Sequence, residues 1–280
     1  MRETLTIKDT RLMISEWKSE GLSIGFVPTM GYLHEGHCSL IKRAVSENDR
    51  VVVSVFVNPA QFDRKEDLNR YPVSLEEDRE KIAMHGGDLV FIPKAEEIYP
   101  QGFNTLVEVE NLDRELCGAT RPGHFRGVCT IVNKLFNIIQ PDKAYFGEKD
   151  YQQLKIIKTM TEDLNMPVKV VGCPIVREEG GLALSSRNAR LSAEERKAAL
   201  VINETLREVK KRVEEGERSV GPLRREAVEK INLVPGVRVD YLEIIDEKLL
   251  QKVEEIEGRA LAAAGVFVGK VRLIDNIKLG

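Results

Sequence analysis

The chain of 280 residues carries 42 Lys and Arg against 45 Asp and Glu, a formal net charge of −3, and has no basic tract. This length suffices for one large or two modest domains with a real core. The balanced charge argues against nucleic-acid binding and against a polybasic membrane anchor, and the longest apolar runs, such as Ala260–Val268, are too short to cross a bilayer.

Short apolar runs alternate with helical patterns over the first two thirds of the chain. The runs predicted as strands are Ser23–Val27, Arg50–Val57, Leu89–Ile92, Lys143–Phe146 and Val168–Cys173. The segments predicted as helices between them are His37–Asn48, Leu75–His85, Val128–Ile139 and Tyr151–Leu164. This alternation predicts an α/β fold with a doubly wound, Rossmann-like parallel sheet, whose ligands lie above the carboxyl ends of the strands.

The pattern changes after about Asn188 and predicts a smaller α+β domain. Ser192 and Glu195 form a capping-box signature ahead of a charged helix that ends near residue 215. A second helix is predicted over Val220–Ile231. The β-leaning runs that follow are Arg238–Ile245, Leu261–Val268 and Val271–Ile274. We therefore expect a catalytic domain at residues 1–187 and a C-terminal domain, acting as a lid, at residues 188–280.

The most informative segment is residues 23–40, SIGFVPTMGYLHEGHCSL. A strand pattern ends, a turn carries His34, Gly36 and His37, and a helical pattern begins. A helix start above a strand end presents unpaired N–H groups that favour a phosphate, and Gly36 lets a polyphosphate approach the backbone. Two alternatives remain, ordinary structural histidines or a pair of metal ligands, although only Glu35 accompanies the pair as a further ligand.

Two later segments combine glycine with charged or hydroxyl side chains in a similar setting. Residues 147–150 (GEKD) follow a predicted strand and open a helix, where Lys149 can serve as a mobile charge for a phosphate. The alternative is an ordinary charge cluster that favours the helix dipole. Residues 184–188 (LSSRN) offer hydroxyls beside an arginine, or else form a polar linker. Three such segments on one predicted sheet favour nucleotide binding.

Two loop-rich stretches, Asn58–Pro72 and Ile92–Gly127, interrupt the pattern, and loops of this length are often functional. Gln61 offers a donor and an acceptor for a carboxylate or hydroxyl of a small substrate, and Phe62 and Met30 either wall an apolar pocket or are plain core residues. Arg121–Gly127 (RPGHFRG) is a basic turn that binds phosphate, organises the site from behind or forms a subunit contact, and the sequence does not choose among these.

The cellular compartment is predicted from the start of the chain and from its cysteines. The first ten residues, MRETLTIKDT, are polar and lack the apolar core of a signal peptide. The cysteines form no C-x-x-C pair and are expected to stay reduced in the cytoplasm: Cys38, Cys117, Cys129 and Cys173.

Five motifs together resemble one family. PTMGYLHEGH, VFVNPAQF, RPGHFRGV, AYFGEKDYQQL and LALSSRN occur in the order and spacing of the pantothenate synthetases (pantoate–β-alanine ligases), from about Ile24 to Asn188. The motif DYLEIID at Asp240–Asp246 extends the resemblance towards the C-terminus. The family in turn resembles the wider HxGH nucleotidyltransferases, and SSRN stands where those enzymes have their second signature loop.

The resemblance implies a two-step reaction. ATP adenylates the carboxylate of pantoate and pyrophosphate leaves; the amine of β-alanine then attacks the pantoyl-adenylate, giving pantothenate and AMP. It also implies a homodimer and Mg²⁺ that arrives with the ATP, with no protein metal ligand assigned. An adenylyl- or cytidylyltransferase of the same superfamily is the alternative, and an ATP-sensing binding protein is a third hypothesis.

The resemblance also implies roles for individual residues. The residues implied to bind ATP are Met30, Gly31, His34, Gly36, His37, Gly147, Glu148, Lys149, Asp150, Val176, Leu184, Ser185, Ser186 and Arg187. The residues implied to be catalytic are His34, His37, Lys149 and Arg187. Gln61 is implied to contact pantoate and β-alanine, and Gln153 to contact pantoate. The chemistry fits, because the substrate carboxylate is itself the nucleophile and catalysis then comes from positioning and charge stabilisation.

Two points stay open at this stage. The resemblance makes His37 a proton donor, but a helix N-terminus disfavours an imidazolium whereas a triphosphate favours it, and a neutral N–H donor serves equally well. Cys117 stands where members of the family commonly have Glu, which leaves open any salt bridge or subunit contact at that position.

Overall fold

The structure is a computed structural model that describes residues 1–63 and 65–280; Arg64, in the predicted loop Asn58–Pro72, lies outside the described residues. The strands are β1 (Arg2–Thr4), β2 (Ile24–Thr29), β3 (Arg50–Val55), β4 (Leu89–Phe91), β5 (Lys143–Gly147), β6 (Lys169–Cys173), β7 (Val237–Asp246), β8 (Ala260–Val268) and β9 (Val271–Leu279). The helices are α1 (Ile7–Ser19), α2 (Glu35–Glu47), α3 (Lys65–Asn69), α4 (Leu75–Met84), α5 (Ala95–Ile98), α6 (Leu116–Thr120), α7 (His124–Ile139), α8 (Tyr151–Asp163), α9 (Ala193–Ala198), α10 (Leu200–Glu214) and α11 (Val220–Asn232). Short 3₁₀ helices cover Pro59–Gln61, Glu148–Asp150 and Ser186–Arg190.

Six strands of the described chain form a parallel sheet in the order β1-β4-β3-β2-β5-β6. Strands β2 and β3 pair from Ile24 with Arg50 to Thr29 with Val55. The middle of β3 is fully apolar and buried, as expected for a strand with both faces covered. The chain order reverses at β2, which lies between β3 and β5, and such a reversal is where open α/β sheets bind ligands. The predicted doubly wound parallel sheet is confirmed.

The described chain divides into two compact units that interleave along the sequence. The first consists of Met1–Glu110, Arg121–Glu148 and Ile156–Pro174 and contains the parallel sheet. The second consists of Asn111–Thr120, Lys149–Lys155 and Ile175–Gly280. The domain boundary after residue 187 and the lid role of the C-terminal domain stay predictions.

The second unit contains a three-stranded antiparallel sheet, β7-β8-β9, within the described residues. Strand β8 (ALAAAGVFV) is buried throughout except at Phe267, because α10 and α11 cover one face of the sheet while Leu261 and Ala263 pack with Leu116 of α6. This confirms the smaller α+β part of the predicted fold. In neither unit does the described chain contain a helix with the length and apolar character that a membrane span requires.

The predicted elements all form, with ends that shift by up to five residues. Ser192 is the N-cap of α9 and makes the predicted capping box with Glu195. The single charged helix predicted to reach residue 215 is wrong in one respect: a turn at Ala199 separates α9 from α10.

Candidate active site

Residues 30–37, called the histidine turn below, connect the end of β2 to the start of α2. Gly31 and Tyr32 both have left-handed backbone, with φ of 82° and 53°. A Cβ at Gly31 would lie 2.9 Å from Asp78 Oδ2 and 3.0 Å from Val55 Cγ1. Glycine is therefore needed at position 31 both for the backbone conformation and for space.

The carboxylate of Asp78 on α4 holds the backbone of the histidine turn. Asp78 is 1 % exposed, and it accepts hydrogen bonds from the N–H of Tyr32 at Oδ2 (2.8 Å) and of Leu33 at Oδ1 (2.7 Å). Lys81, on the next turn of α4, donates from Nζ to the carbonyl oxygen of Leu33 (2.8 Å). Hydrogen bonds to a charged partner are the stronger kind, so α4 fixes the path of the chain into His34. No motif in the sequence identifies Asp78 and Lys81 as functional. Their i,i+3 spacing places them on one side of α4, but the sequence does not show that this side faces the histidine turn.

Both imidazoles of the turn accept backbone hydrogen bonds at Nδ1. His34 is the N-cap of α2 and its Nδ1 accepts from the N–H of Gly36 (3.1 Å). The Nδ1 of His37 accepts from the N–H of His34 (3.3 Å), and the two ring centroids are 4.1 Å apart. A ring nitrogen that accepts carries no proton, so Nε2 is the N–H donor of each ring. The arrangement presents neutral N–H donors at a helix N-terminus, which favours the neutral-donor interpretation of His37.

Strand β5, one of the two neighbours of β2, ends at the same edge of the sheet as β2. Strand β5 pairs with β2 in parallel, with Phe26 opposite Ala144, and ends at Gly147. A Cβ at Gly147 would have no atom within 4 Å, so the space beside this strand end is open. Glu148 follows directly. The structure thus brings the start of the predicted GEKD segment beside the strand end that leads into the histidine turn.

Gln61 follows β3, on the other side of β2, and is 9 % exposed. The Nδ2 of Asn58 donates to Gln61 Oε1 (3.0 Å), which orients the amide with Nε2 as its donor. The carbonyl oxygen of Gln61 accepts from His124 Nδ1 (2.7 Å) and Arg121 Nη2 (3.3 Å). These bonds support the second of the three alternatives for Arg121–Gly127, the turn that organises the site from behind.

A glycine on α7 lets this helix approach residues 58–61, called the Gln61 turn below, very closely. A Cβ at Gly127 would lie 2.2 Å from the carbonyl oxygen of Ala60, a contact that only displacement of the backbone relieves. The Nδ2 of Asn58 also donates to the carbonyl oxygen of Gly127 (3.1 Å), and the hydroxyl of Tyr99 donates to Asn58 Oδ1 (2.8 Å). Burial raises the pKa of Tyr99 to about 12, so the hydroxyl remains a donor at neutral pH.

In the second unit, two residues predicted to bind ATP face each other in a tight hairpin. The N–H of Leu184 donates to the carbonyl oxygen of Val176 (3.0 Å), and Gly181 turns the chain with φ of 95°. The guanidinium of Arg177 forms a two-point salt bridge with Asp275, at 2.6 Å and 2.9 Å. The hairpin is thereby fixed to β9, which contains Asp275.

The SSRN segment follows this hairpin and is anchored by its last residue. Ser185 Oγ accepts from the N–H of Arg187 (3.3 Å). Asn188 Nδ2 donates to Glu178 Oε1 (2.9 Å), and Arg196 Nη2 donates to the carbonyl oxygen of Asn188 (3.0 Å). Burial alone would raise the pKa of Glu178, but hydrogen bonds from Arg196 and Asn188 lower it below its ordinary value. The carboxylate therefore stays charged and keeps its hold on Asn188.

Lys149 and Asp150 lie in the 3₁₀ helix that leads into α8. Lys149 Nζ is 3.6 Å from Asp150 Oδ2, and the carbonyl oxygen of Lys149 accepts from Asn276 Nδ2 (2.9 Å). On α8, Gln152 is buried and donates to two backbone carbonyls, whereas Gln153 is half-buried. Their side chains differ in environment because successive helical residues point in different directions.

The predicted site residues are thus distributed over both units. Those of the first unit follow the ends of three neighbouring strands: Met30, Gly31, His34, Gly36, His37, Gln61, Gly147 and Glu148. Those of the second unit are Lys149, Asp150, Gln153, Val176, Leu184, Ser185, Ser186 and Arg187. Their roles stay predictions.

Cys117 contacts an arginine that already has a carboxylate partner. Its Sγ lies 3.3 Å from the hydroxyl of Tyr241 and 3.7 Å from Arg272 Nη1. Arg272 Nη2 is 2.8 Å from Asp240 Oδ2. Burial raises the pKa of Tyr241 well above its usual value, and the neighbouring Cys117 adds to this shift. Cys117 therefore faces a guanidinium that is paired with Asp240 in this chain.

Known proteins resemble this chain over nearly its whole length. The family described as Pantoate-beta-alanine ligase matches residues 3–278. The pantothenate synthetase of Clostridium botulinum type A is 53 % identical over 271 residues, covering 97 % of this chain and 96 % of that one. The pantothenate synthetase of Fervidobacterium nodosum is 50 % identical over 277 residues and 99 % of each chain.

Solved structures agree. Pantothenate synthetase from Thermus thermophilus superposes with a TM-score of 0.93 at 46 % identity, covering 99 % of both chains. A pantoate-beta-alanine ligase from Francisella tularensis, solved with Beta-gamma ATP and Beta-alanine, gives 0.84 at 38 % identity, covering 99 % of this chain and 97 % of that one. The predicted family, fold class and ligase assignment are confirmed: the chain belongs to the pantoate–β-alanine ligase family.

Proposed function

We propose that this protein condenses pantoate with β-alanine to give pantothenate, with ATP as co-substrate and a pantoyl-adenylate as intermediate. Membership of the family supports the reaction, and the F. tularensis relative holds an ATP compound and β-alanine. The observation in this chain that carries the proposal is the pair of imidazoles at the N-terminus of α2, with Nδ1 of each engaged by the backbone.

In the first step, a carboxylate oxygen of pantoate forms a bond to the α-phosphorus of ATP, and the bond from that phosphorus to the bridging oxygen breaks as pyrophosphate leaves. No group of the protein becomes covalently attached. The Nε2–H donors of His34 and His37 stabilise the charge on phosphate oxygens without transferring a proton, because each Nδ1 accepts from the backbone. Catalysis at these residues is then positioning and charge stabilisation.

In the second step, the amine of β-alanine attacks the acyl carbon of the pantoyl-adenylate, and AMP leaves as the amide bond forms. The proton of the amine is released to solvent. Gln61 is assigned to pantoate and β-alanine, supported by the hydrogen bond from Asn58 that leaves its amide N–H₂ as donor. Gln153 is assigned to pantoate by its motif position.

The remaining residues are assigned to ATP by motif position and chemical type. In the first unit they are Met30, Gly31, Gly36, Gly147 and Glu148. In the second unit they are Lys149, Asp150, Val176, Leu184, Ser185, Ser186 and Arg187. Lys149 and Arg187 supply positive charge for phosphate oxygens, and the anchored SSRN segment holds its hydroxyls in a fixed turn.

Mg²⁺ is proposed to arrive with ATP, bound mainly by phosphate oxygens and water. Among the residues that the structure describes, the cluster of metal-ligating side chains is Glu35, Cys38 and His85. A thiol and an imidazole do not fit Mg²⁺, which takes oxygen ligands, so no protein ligand is assigned and no step is routed through the ion.

We also propose a homodimer in the cytoplasm. The dimer is supported by the family resemblance, and the location by reduced, buried thiols such as Cys38, Cys117 and Cys173. Light scattering after size-exclusion chromatography tests the dimer. The measured molar mass should be twice that of one chain. A mass of one chain at micromolar concentration would contradict it.

An AMP-release assay with each substrate omitted in turn tests the proposed reaction. We expect AMP to form at a sustained rate only when ATP, pantoate and β-alanine are all present, with pantothenate formed in equal amount. A product that retains the nucleotide would instead identify an adenylyl- or cytidylyltransferase. Absence of ATP turnover with both substrates present would identify a binding protein.

A further inference from the structure

We infer that the first turn of α2 and the C-terminal end of α4 form a binding site for a divalent cation of the zinc type. The ligands are Glu35, Cys38 and His85, and one ligand atom of each lies within 4.8 Å of those of the other two. Carboxylate, thiolate and imidazole are the ligand types that Zn²⁺ takes in proteins. The site is separate from the proposed ligase chemistry, whose Mg²⁺ takes oxygen ligands.

The local fold explains why these three side chains converge. Glu35 and Cys38 are three residues apart on α2, so they share one side of the helix. His85 is the C-cap of α4, and its backbone N–H donates to the carbonyl oxygen of Lys81 (3.1 Å). Helix α4 is held against the chain that enters α2 through Asp78, so the two helix ends are fixed neighbours.

The imidazole of His85 is held in a tautomer that suits metal binding. Its Nδ1 lies 2.7 Å from the carbonyl oxygen of Lys81. A carbonyl oxygen only accepts, so Nδ1 carries the proton and Nε2 holds the lone pair. Metal-ligating histidines characteristically donate their other ring N–H to a carbonyl or carboxylate, which fixes the tautomer and the ring orientation.

Burial and charge define the kind of cation and its path of access. Cys38 is 1 % exposed, His85 is half-buried and Glu35 is exposed, so the cation reaches the site from the Glu35 side. Coordination by Cys38 releases its thiol proton to solvent, and the thiolate together with the Glu35 carboxylate then balances a charge of +2. Lys42 and Lys81 are near enough to act on Cys38 and oppose a cation in part.

Three protein ligands leave one position of a tetrahedral site for water. Ligand atoms around tetrahedral Zn²⁺ lie about 3.5 Å apart, so the side chains close by at most about 1.3 Å on binding. Glu35, which is exposed and long, can make most of that movement by changing rotamer. Because Glu35 directly follows His34, the bound cation would hold the first turn of α2 against α4.

The test uses the full chain, treated with a chelator and then titrated with Co²⁺ or Zn²⁺ in the absence of nucleotide. We expect one equivalent of Co²⁺ to give thiolate-to-cobalt charge-transfer absorption, Zn²⁺ to abolish it, and excess Mg²⁺ to leave it unchanged. Cys38→Ser and His85→Gln should each weaken binding by at least about 100-fold, because loss of a group that merely supports a ligand already costs about 10- to 100-fold. Zn²⁺ should also raise the thermal midpoint of the wild type but not that of His85→Gln.

Cys173→Ser is the matched control, because Cys173 is also a buried thiol of the first unit, at the end of β6. It should bind Co²⁺ with the absorption of the wild type. If Cys38→Ser does not fold, the half-buried His85→Gln variant decides the question. Absent charge-transfer absorption in the wild type, absorption in His85→Gln at the Co²⁺ affinity of the wild type, or absorption lost in Cys173→Ser would each overturn the proposal. None of these outcomes depends on the ligase assay, because metal binding is measured in the absence of nucleotide.

Discussion

The histidine turn and the Gln61 turn follow the ends of neighbouring strands, β2 and β3, yet they are held in different ways. The first depends on charged groups of α4: the Asp78 carboxylate accepts two backbone N–H bonds and the Lys81 ammonium donates to a carbonyl. The second depends on close packing and mostly neutral hydrogen bonds with α7, through Gly127 and Asn58. A buried carboxylate thus fixes the backbone of the turn whose N–H donors are proposed to meet an anion, whereas close packing and a neutral network hold the Gln61 amide.

The largest effect is expected for the groups proposed to contact phosphate. His37→Ala and Lys149→Ala should each slow formation of the pantoyl-adenylate by roughly a hundredfold or more, because one charge-stabilising donor is lost. Circular dichroism should show an unchanged fold. Lys158→Ala, a change on α8 outside the proposed site, is the control and should keep the wild-type rate. Near-normal turnover in both site variants would contradict the assignment.

A smaller loss of activity is expected when the hydrogen bonds from the backbone of the histidine turn to Asp78 are weakened. Asp78→Asn keeps the size of the side chain, but its NH₂ faces one of the two backbone N–H groups that the carboxylate accepts. We expect about a tenfold fall in kcat with little change in KM for ATP, since a hydrogen bond to a charged group contributes about 1.5–3 kcal/mol. Steady-state kinetics with a thermal melt checks this, and Glu80→Gln on the exposed side of α4 is the control.

If Asp78 were merely structural, Asp78→Asn would lower the thermal midpoint while the folded fraction kept the wild-type kcat. Asp78→Glu should recover less than the full rate, because the longer side chain cannot place both oxygens at 2.7–2.8 Å from the same two N–H groups.

Disturbing the Gln61 turn should weaken substrate binding more than it slows catalysis. Gly127→Ala places a methyl group 2.2 Å from the carbonyl oxygen of Ala60, so α7 or the turn must move. Overpacking of this kind costs about 1–3 kcal/mol of unfolding free energy. We expect that loss in denaturant unfolding, together with a raised KM for pantoate. Gly221→Ala, where a Cβ meets no atom within 4 Å, is the matched control. An unchanged KM for pantoate would contradict a role of the Gln61 turn in binding this substrate.

The smallest effect on stability is expected when the Tyr99 hydroxyl, which donates to Asn58, is removed. Tyr99→Phe removes one neutral hydrogen bond, worth about 1 kcal/mol of stability. Burial raises the pKa of Tyr99 from 10.0 to about 12, so its stabilising contribution is complete below pH 10 and is lost as the pH rises towards 12. Urea unfolding of wild type and variant should therefore give a constant difference up to about pH 10 and a shrinking one above it. A difference that grows with pH would contradict this account.

The sequence predicted the sheet well, because β2 and β3 are apolar runs that end in recognisable turns. It missed β1 and α1: Arg2 and Glu3 are exposed at the edge of the sheet, and α1 buries little beyond Thr10, Ile14 and Trp17. The buried residues of α1 do recur at helical spacing, whereas the three-residue edge strand β1 is too short to show a pattern and forms by pairing with β4.

The motifs identified the candidate site residues, but not the groups that position them. Asp78 meets Tyr32 across 46 residues of sequence, and His124 meets Gln61 across 63. No local pattern encodes such pairs, since the sheet order and the packing of the helices bring them together. The Nδ1 bonds that define the tautomers of His34 and His37 likewise depend on the capping geometry of α2, which no spacing rule supplies.

Exchange of labelled pyrophosphate into ATP tests the central claim most directly, because it isolates formation of the adenylate. With pantoate present and β-alanine absent, the wild type should exchange the label, and His37→Ala should do so at least a hundredfold more slowly. No exchange with pantoate alone, or undiminished exchange in His37→Ala, would contradict an adenylation step assisted by the histidine turn.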